Sequence, residues 1–96
     1  MAWPRVRFPR SGGQWVGERD GVGFTGETDL GPVKFLVTSE ALAQVLSPAL
    51  GPIDSEMALE VFLEFEADIQ RVAQREFVKR RSGEPPILLT AAGVKF

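Results

Sequence analysis

The fold is decided by residues 54–82, DSEMALEVFLEFEADIQRVAQREFVKRRS, a stretch without glycine or proline. Asp54 or Ser55 can cap the first free backbone amides of a helix. Gly83 can adopt the left-handed conformation that ends a helix, and the prolines that follow it cannot continue one. The sequence therefore predicts one long helix of about 27 residues and about 40 Å.

The predicted long helix is amphipathic. At about 100° per residue its apolar and charged side chains fall in opposite arcs, so one face packs and the other meets solvent. Glu76 and Arg80 project on the apolar side, four residues apart in the order that favours an ion pair. We expect the helix either to outrun its core there or to meet something polar. The apolar arc contains Ala58, Leu59, Val61, Phe62, Phe65, Ile69, Val72, Ala73 and Phe77, and the charged arc contains Glu56, Glu60, Glu64, Asp68, Arg71, Arg75 and Lys79.

The first 38 residues predict β-strands, because glycines and prolines separate short stretches in which apolar residues alternate with others. Residues 29–32, Asp-Leu-Gly-Pro, have turn chemistry and join two such stretches into an antiparallel hairpin. The expected strands are a first one near Val6 and Phe8, a short one at Gln14–Val16, and the hairpin strands Val22–Thr28 and Val33–Thr38.

Two shorter elements complete the expected fold. Ser39–Leu46 predicts a short helix, since hydroxyl side chains at its start can cap it and Pro48 forbids its continuation. Ile87–Thr90 predicts a final, mostly buried strand. We therefore expect a single α+β domain, residues 1–96, with element order β-β-β-α-α-β. Its two layers are an antiparallel sheet of about four strands and, on one face of the sheet, the long and the short helix.

The composition excludes several chemistries. The 96 residues include no cysteine and no histidine, so disulfides, thiolate nucleophiles, zinc knuckles and Ser-His-Asp machinery are ruled out. Any catalysis would have to use carboxylates, lysine, arginine or a borrowed cofactor, and we expect no catalytic, cofactor or metal site. No apolar stretch approaches the roughly 20 residues that span a bilayer, so neither a signal peptide nor a membrane segment is predicted and the cytoplasm is the expected location.

Residues 21–26, Gly-Val-Gly-Phe-Thr-Gly, match the pattern G-x-G-x-x-G of dinucleotide-binding loops. That pattern needs a preceding parallel strand and a helix that opens at its last glycine. Here the chain runs through a predicted turn into another strand. The glycines therefore indicate a bulge, a bend or a close crossing of backbone within a strand.

The charged arc offers two further candidates. Arg71, Arg75 and Lys79 form a basic stripe that Arg80 and Arg81 extend, and such a stripe could line a phosphate backbone. The isoelectric point of about 5.1 argues against nucleic acid. Between residues 35 and 70 there are seven acids and no base, and acids early in a helix with bases late in it also complement the helix dipole.

The acids of the same arc, Glu56, Glu60, Glu64 and Asp68, could in principle hold a hard cation. Ligands along one straight helix cannot surround an ion, so a solvated face is the expected state. Two other carboxylates, Glu66 and Glu76, approach the apolar arc, where burial could raise a pKa for acid–base work.

The two tryptophans, Trp3 and Trp15, lie in the glycine-rich region, where periodicity does not assign them to a core. Either one could anchor a partner, because tryptophan is enriched at binding hot spots. The alternative is that they close over the sheet or over the ends of the long helix.

One series of motifs runs along nearly the whole chain: Val6-Arg7-Phe8-Pro9, Trp15, Val22-Gly23-Phe24, Ser39-Glu40-Ala41-Leu42, Phe62, Ile69, Ala73, Phe77, Leu88-Leu89-Thr90 and Phe96. The order of these motifs resembles a small bacterial family, domain of unknown function 1488. The resemblance implies a compact two-layer domain of strands, two helices and a last strand, and it implies no activity, ligand or catalytic residue. Glu66 stands where the family pattern has a base, and Lys95 where an acid often precedes the last aromatic residue, so a polar contact there would differ in charge.

We expect the chain to be a non-catalytic interaction or regulatory module that binds a protein or a second copy of itself. The excluded chemistries and the polar residues on the apolar side of the long helix favour this function. The candidate interaction surface consists of Glu76, Arg80, Arg71, Arg75 and Lys79. A small-ligand-binding protein or a carboxylate-dependent enzyme is the alternative, which a deep pocket holding Glu66 or Glu76 would favour. Nucleic-acid binding is the third hypothesis.

Overall fold

The residues that the structure describes form a four-stranded sheet, which is one layer of the molecule. A computed structural model of the chain describes residues 6–9, 12–29, 31–46, 51–79 and 87–90. Neighbouring strands in space follow the order β1-β2-β3-β4, which is also their order in the chain. The strands are β1 (Gln14–Val16), β2 (Gly21–Thr28), β3 (Gly31–Thr38) and β4 (Ile87–Leu89), and a one-turn 3₁₀ helix over Gly17–Arg19 joins β1 to β2.

The predicted hairpin is confirmed. Strands β2 and β3 pair antiparallel along their full length, from Gly21 opposite Thr38 to Thr28 opposite Gly31. Gly31 has φ 117°, a backbone conformation that glycine adopts without steric cost. The hydroxyl of Thr28 donates a 2.8 Å hydrogen bond to the carbonyl oxygen of Gly31. A tight turn therefore sets the register of the two longest strands.

Two predictions about the sheet need correction. Near Val6 and Phe8 the structure has a single bridge rather than a strand, in which the N–H of Arg7 donates to the carbonyl of Glu27 and the reverse bond also forms, at 2.8 and 2.7 Å. Strand β4 pairs with β3 in parallel, from Phe35 opposite Ile87 onward, so the sheet is mostly rather than wholly antiparallel. The long helical connection between β3 and β4 permits this parallel return.

Within the described ranges, the helical layer contains three helices: α1 (Ser39–Leu46), α2 (Ser55–Glu64) and α3 (Glu66–Lys79). Asp54 caps α2, because its Oδ1 accepts a 2.8 Å hydrogen bond from the Met57 N–H. The predicted single long helix is divided at Phe65, which has φ −106° and ψ 20°. Helix α2 packs against β1 and β2, whereas α3 packs against β4. Because a sheet twists, two shorter helices can follow one of its faces from β1 to β4, where one straight helix would meet only part of that face.

The core lies between the helices and one face of the sheet. Alternate residues of β2 and β3 face it, among them Phe24 and Phe35, whose rings stack at 5.3 Å between centroids. The ring of Phe62 from α2 packs on Phe24 at 5.1 Å. The opposite face of the sheet carries polar residues such as Thr25 and Lys34, which are exposed. This two-layer arrangement is the expected α+β fold.

Candidate interaction surface

The glycine pattern at residues 21–26 lies inside β2 and leads into β3, with no helix after it. A Cβ atom on Gly21 would lie 2.5 Å from the carbonyl oxygen of Val37, and a Cβ on Gly26 would overlap the side chain of Val6. These glycines therefore allow close packing of backbone and of the N-terminal segment. The structure supports the strand interpretation of the pattern rather than a phosphate loop.

Two polar side chains of α3 hold the N-terminal segment. The Gln74 side-chain oxygen accepts a hydrogen bond from the Val6 N–H, and the Glu66 carboxylate accepts one from the Gly12 N–H, both at 2.5 Å. Glu66 and Gln74 lie two helical turns apart on one flank of α3. A lysine or arginine at position 66 could not accept this hydrogen bond. The acid that departs from the expected family pattern thus has a structural role in this chain.

Glu76, a member of the predicted interaction surface, lies on the buried side of α3. Its exposed fraction is 8%, and the other buried residues of the helix are Ile69, Val72 and Ala73. Arg80, the predicted ion-pair partner of Glu76, lies outside the described residues. Glu76 therefore presents little surface to a partner in this conformation.

The other three predicted residues, Arg71, Arg75 and Lys79, are all exposed and follow one another along the outer side of α3. The Arg71 side chain is 79% exposed, and its guanidinium lies 3.4 Å from the Asp68 carboxylate one turn earlier. An ion pair this exposed contributes only about 0–1 kcal/mol to stability. The structure thus brings together three of the five predicted residues as a solvent-facing basic row.

Helix α2 carries the opposite charge. Glu56, Glu60 and Glu64 are exposed, and the last turn of the helix contains no base. Within the described part of the chain, no cluster of three or more histidine, cysteine or acidic residues could hold a metal ion. We refer to Glu56, Glu60 and Glu64 on α2 together with Arg71, Arg75 and Lys79 on α3 as the charged stripe.

Apolar side chains accompany the acidic half of the charged stripe. Among the described residues, the large hydrophobic side chains that remain exposed are Leu46, Met57 and Leu63, at 40%, 40% and 57%. All three lie on α1 and α2, which pack against each other. Sequence reasoning did not single out Met57 or Leu63. The sequence did contain a signal for their exposure, because both are large apolar residues that lie outside the apolar arc of an amphipathic helix.

Three clefts lie elsewhere on the described surface. A cleft of about 480 Å³ is lined by glycines, Gln14 and Thr25, and a neighbouring one of about 330 Å³ shares Gln14 and Thr25 on the outer face of the sheet. The third, about 410 Å³, lies beside Asp20 and Ser39, whose hydroxyl donates a 2.9 Å hydrogen bond to the Asp20 carboxylate. None of these clefts is lined by Glu66.

Glu76 is likewise absent from the lining of all three clefts. The arrangement that would have favoured a carboxylate-dependent enzyme, a deep pocket holding Glu66 or Glu76, does not occur at these clefts. Trp15 is half-buried and packs against the core, in agreement with the interpretation that it closes over the fold. Trp3 lies outside the described residues.

In the part of the chain that the structure describes, no helix has the length and the apolar character needed to cross a bilayer.

Comparisons with known proteins identify similar chains but no activity. The family model described as Protein of unknown function (DUF1488) matches residues 6–89. A crystal structure of a protein of unknown function from the DUF1488 family of Shewanella loihica PV-4 matches with a TM-score of 0.72 and 19% sequence identity. The match covers 93% of this chain and 94% of that chain. Comparison with the curated proteins gives no match. At this identity the structural similarity establishes the fold alone.

Proposed function

The chain belongs to the family of proteins of unknown function DUF1488, and on that premise we propose that it is a non-catalytic interaction module that binds a protein through α2 and the charged stripe. One observation carries the proposal. All the large hydrophobic side chains that stay exposed among the described residues lie on α1 and α2, and two of them lie on α2 beside three exposed acids. An apolar centre with a polar rim is the usual arrangement of a protein interface.

Leu63 is the strongest candidate anchor, because it is 57% exposed. Full burial of a leucine side chain stabilises by about 1.5–3 kcal/mol, so covering the exposed part of Leu63 would contribute about 1 kcal/mol. The acids beside it favour a partner with basic side chains opposite α2. The proposal therefore names a binding face and the chemistry that would complement it.

Site-specific photo-crosslinking in cells tests this face. A photoreactive residue at position 63 should give discrete protein adducts, whereas one at the exposed Lys34 on the outer face of the sheet should give none. The adduct protein, once purified, should bind the wild-type chain and lose about tenfold or more in affinity for Leu63→Asp, as anchor residues do. Equal adducts at both positions, or none at position 63, would refute the proposed face.

The charged stripe does not favour nucleic acid as the partner. Its three acids and three bases cancel, so it offers no net positive surface to a phosphate backbone. Nucleic-acid binding, the third hypothesis from the sequence, therefore has no support from this face.

Binding of a small polar ligand is a second candidate function. It is supported by the cleft of about 480 Å³ on the outer face of the sheet. Its volume lies in the range of about 300–1,000 Å³ typical of small-molecule sites. Gly12, Gly13 and Gly23 leave backbone atoms accessible, and Gln14 and Thr25 add hydrogen-bonding groups.

A thermal-shift screen against metabolites tests this second function. A ligand at 100 times its dissociation constant adds about 2.7 kcal/mol of stability, or roughly 10–20 °C in melting temperature for a domain of this size. A shift that Thr25→Val abolishes would support the cleft. The absence of any shift across the screen would reject it.

We place the module in the cytoplasm as part of the same proposal. The absence of cysteine is compatible with a reducing compartment, where disulfides do not form. Fractionation of cells that express the chain should recover it with cytoplasmic marker proteins, and recovery with periplasmic or membrane markers would overturn this assignment.

A further inference from the structure

We infer that the partner is a second copy of this chain, which packs antiparallel through the charged stripe. This inference rests on the proposed function and specifies its partner. Its basic half, Arg71, Arg75 and Lys79, belongs to the interaction surface expected from the sequence, and the acids of α2 take the place of Glu76, which is buried in the structure.

The charge pattern of the stripe, acids followed by bases, is complementary to the same pattern in a second copy that runs in the opposite direction. The acids recur every four residues on α2, and the bases recur every four residues on α3. When two copies run antiparallel about a point between Ala67 and Asp68, Glu64 of one copy faces Arg71 of the other. The same alignment places Glu60 opposite Arg75. A two-fold axis repeats each of these contacts, which makes the interface isologous and closed.

Because the helix is divided at Phe65, the helix dipole explains only part of the charged stripe. Acids near a helix N-terminus and bases near its C-terminus complement the helix dipole, which accounts for Glu56 and Lys79. Glu64, however, is the last residue of α2, where the dipole is negative and no base lies nearby in the turn. Arg71 lies in the interior of α3, away from its C-terminal end. Arg71 already pairs within its own helix with Asp68, through an exposed contact of 3.4 Å, so a second copy would account for Glu64 and would bring a second acid beside Arg71.

The interface would be weak and sensitive to salt. The acids span about 12 Å of α2 and the bases about 12 Å of α3 if each residue rises 1.5 Å, and the apolar contribution comes mainly from Leu63, which flanks the acids. Exposed charges interact over a Debye length of about 10 Å at 0.1 M salt and about 3 Å at 1 M. We therefore expect dimerisation at low salt to weaken about tenfold or more at 0.5 M salt.

Two charge-reversed variants, each expected to dimerise only when mixed with the other, test this geometry. Glu64→Lys places lysine opposite Arg71 at both symmetry-related contacts, and Arg71→Glu places two acids there. Sedimentation velocity at low salt should show each variant alone as a monomer. An equimolar mixture should dimerise within about threefold of the wild-type affinity, because both contacts of the mixed dimer join opposite charges.

Matched control variants distinguish the loss of a specific contact from the effect of a change in net charge. Glu64→Lys changes the net charge from −2 to 0 and Arg71→Glu changes it to −4. Glu18→Lys and Lys34→Glu make the same changes at exposed positions outside the stripe, and both should dimerise like the wild type. If circular dichroism shows that a stripe variant is unfolded, the pair Glu60→Lys and Arg75→Glu replaces it.

Several results would overturn the inference. If the wild-type chain stays monomeric at about 1 mM and low salt, the expected contact does not form, because specific complexes associate below this concentration. Dimers that survive both stripe variants, or a mixture that does not recover, would place any self-contact elsewhere. Photo-crosslinks from position 63 to a different protein, with a monomeric wild type, would remove the second copy as partner and leave the proposed function intact.

Discussion

Substituting Gly21 by alanine should destabilise the sheet more than any simple glycine-to-alanine change at the surface. An added Cβ would lie 2.5 Å from the carbonyl oxygen of Val37 and 3.2 Å from the Cα of Thr38. Both obstructing atoms belong to the backbone of β3, so a change of side-chain rotamer cannot relieve them. Ordinary contact begins near 3.4 Å, and the two strands must therefore separate by nearly an ångström at the end of their longest pairing.

The magnitude follows from what such overpacking costs. Extra carbon atoms in a well-packed site typically cost about 1–3 kcal/mol, and an obstruction by backbone falls at the upper end. Alanine also reduces the conformational entropy of the unfolded chain, which offsets about 0.4–1 kcal/mol of this loss of stability. A net loss of about 2–3 kcal/mol corresponds to a fall in melting temperature of about 10–20 °C for a domain of this size.

Thermal and urea unfolding followed by circular dichroism measures the loss. Gly17→Ala is the matched control, because its added Cβ would have only ordinary contact with the Trp15 ring, at 3.5 Å. This control should unfold within about 0.5 kcal/mol of the wild type, as surface substitutions do. If Gly21→Ala is as stable as Gly17→Ala, the close approach of β2 to β3 is not as described, and the strand interpretation of the glycine pattern loses its main support.

Three other substitutions test separate contacts. Gln74→Ala removes the acceptor of the Val6 N–H, so we expect a loss of about 1–2 kcal/mol and faster amide exchange at Val6 by NMR, while Gln74→Glu keeps an acceptor and protects the amide. Asp20→Ala removes the acceptor of the Ser39 hydroxyl and places alanine at φ 51°, for a loss of about 2 kcal/mol in urea unfolding; equal losses for Asp20→Asn would contradict this account. Asp54→Ala removes the cap of α2 and should cost about 1 kcal/mol by calorimetry, and no change would mean that the cap is dispensable.

The sequence was sufficient to predict the elements whose signals are local. The turn residues between the hairpin strands and the cap at Asp54 act within a few positions of themselves, and both are confirmed. The outward position of the basic row on α3 also followed from helical periodicity alone.

The features that escaped prediction depend on distant parts of the chain. The residues beside Phe65 include no glycine or proline, and the two parts of the helix pack against different strands of one sheet face. The parallel direction of β4 is likewise a property of the complete fold. Periodicity placed Glu66 near the core but could not show that its carboxylate binds the Gly12 N–H, since 54 residues separate the two.

The parallel pairing of β3 with β4 sets the order in which the molecule can fold. The β2–β3 hairpin closes a short turn and can form early, whereas β4 joins only after the three helices have been synthesised. Until then, the far edge of β3 is an open edge with unpaired backbone groups, which can recruit strands from other molecules. We expect Leu89→Ala to accelerate unfolding while leaving the folding rate nearly unchanged, and to increase aggregation during refolding. The chain would thus be most vulnerable during synthesis, in the interval before residues 87–89 cover that edge.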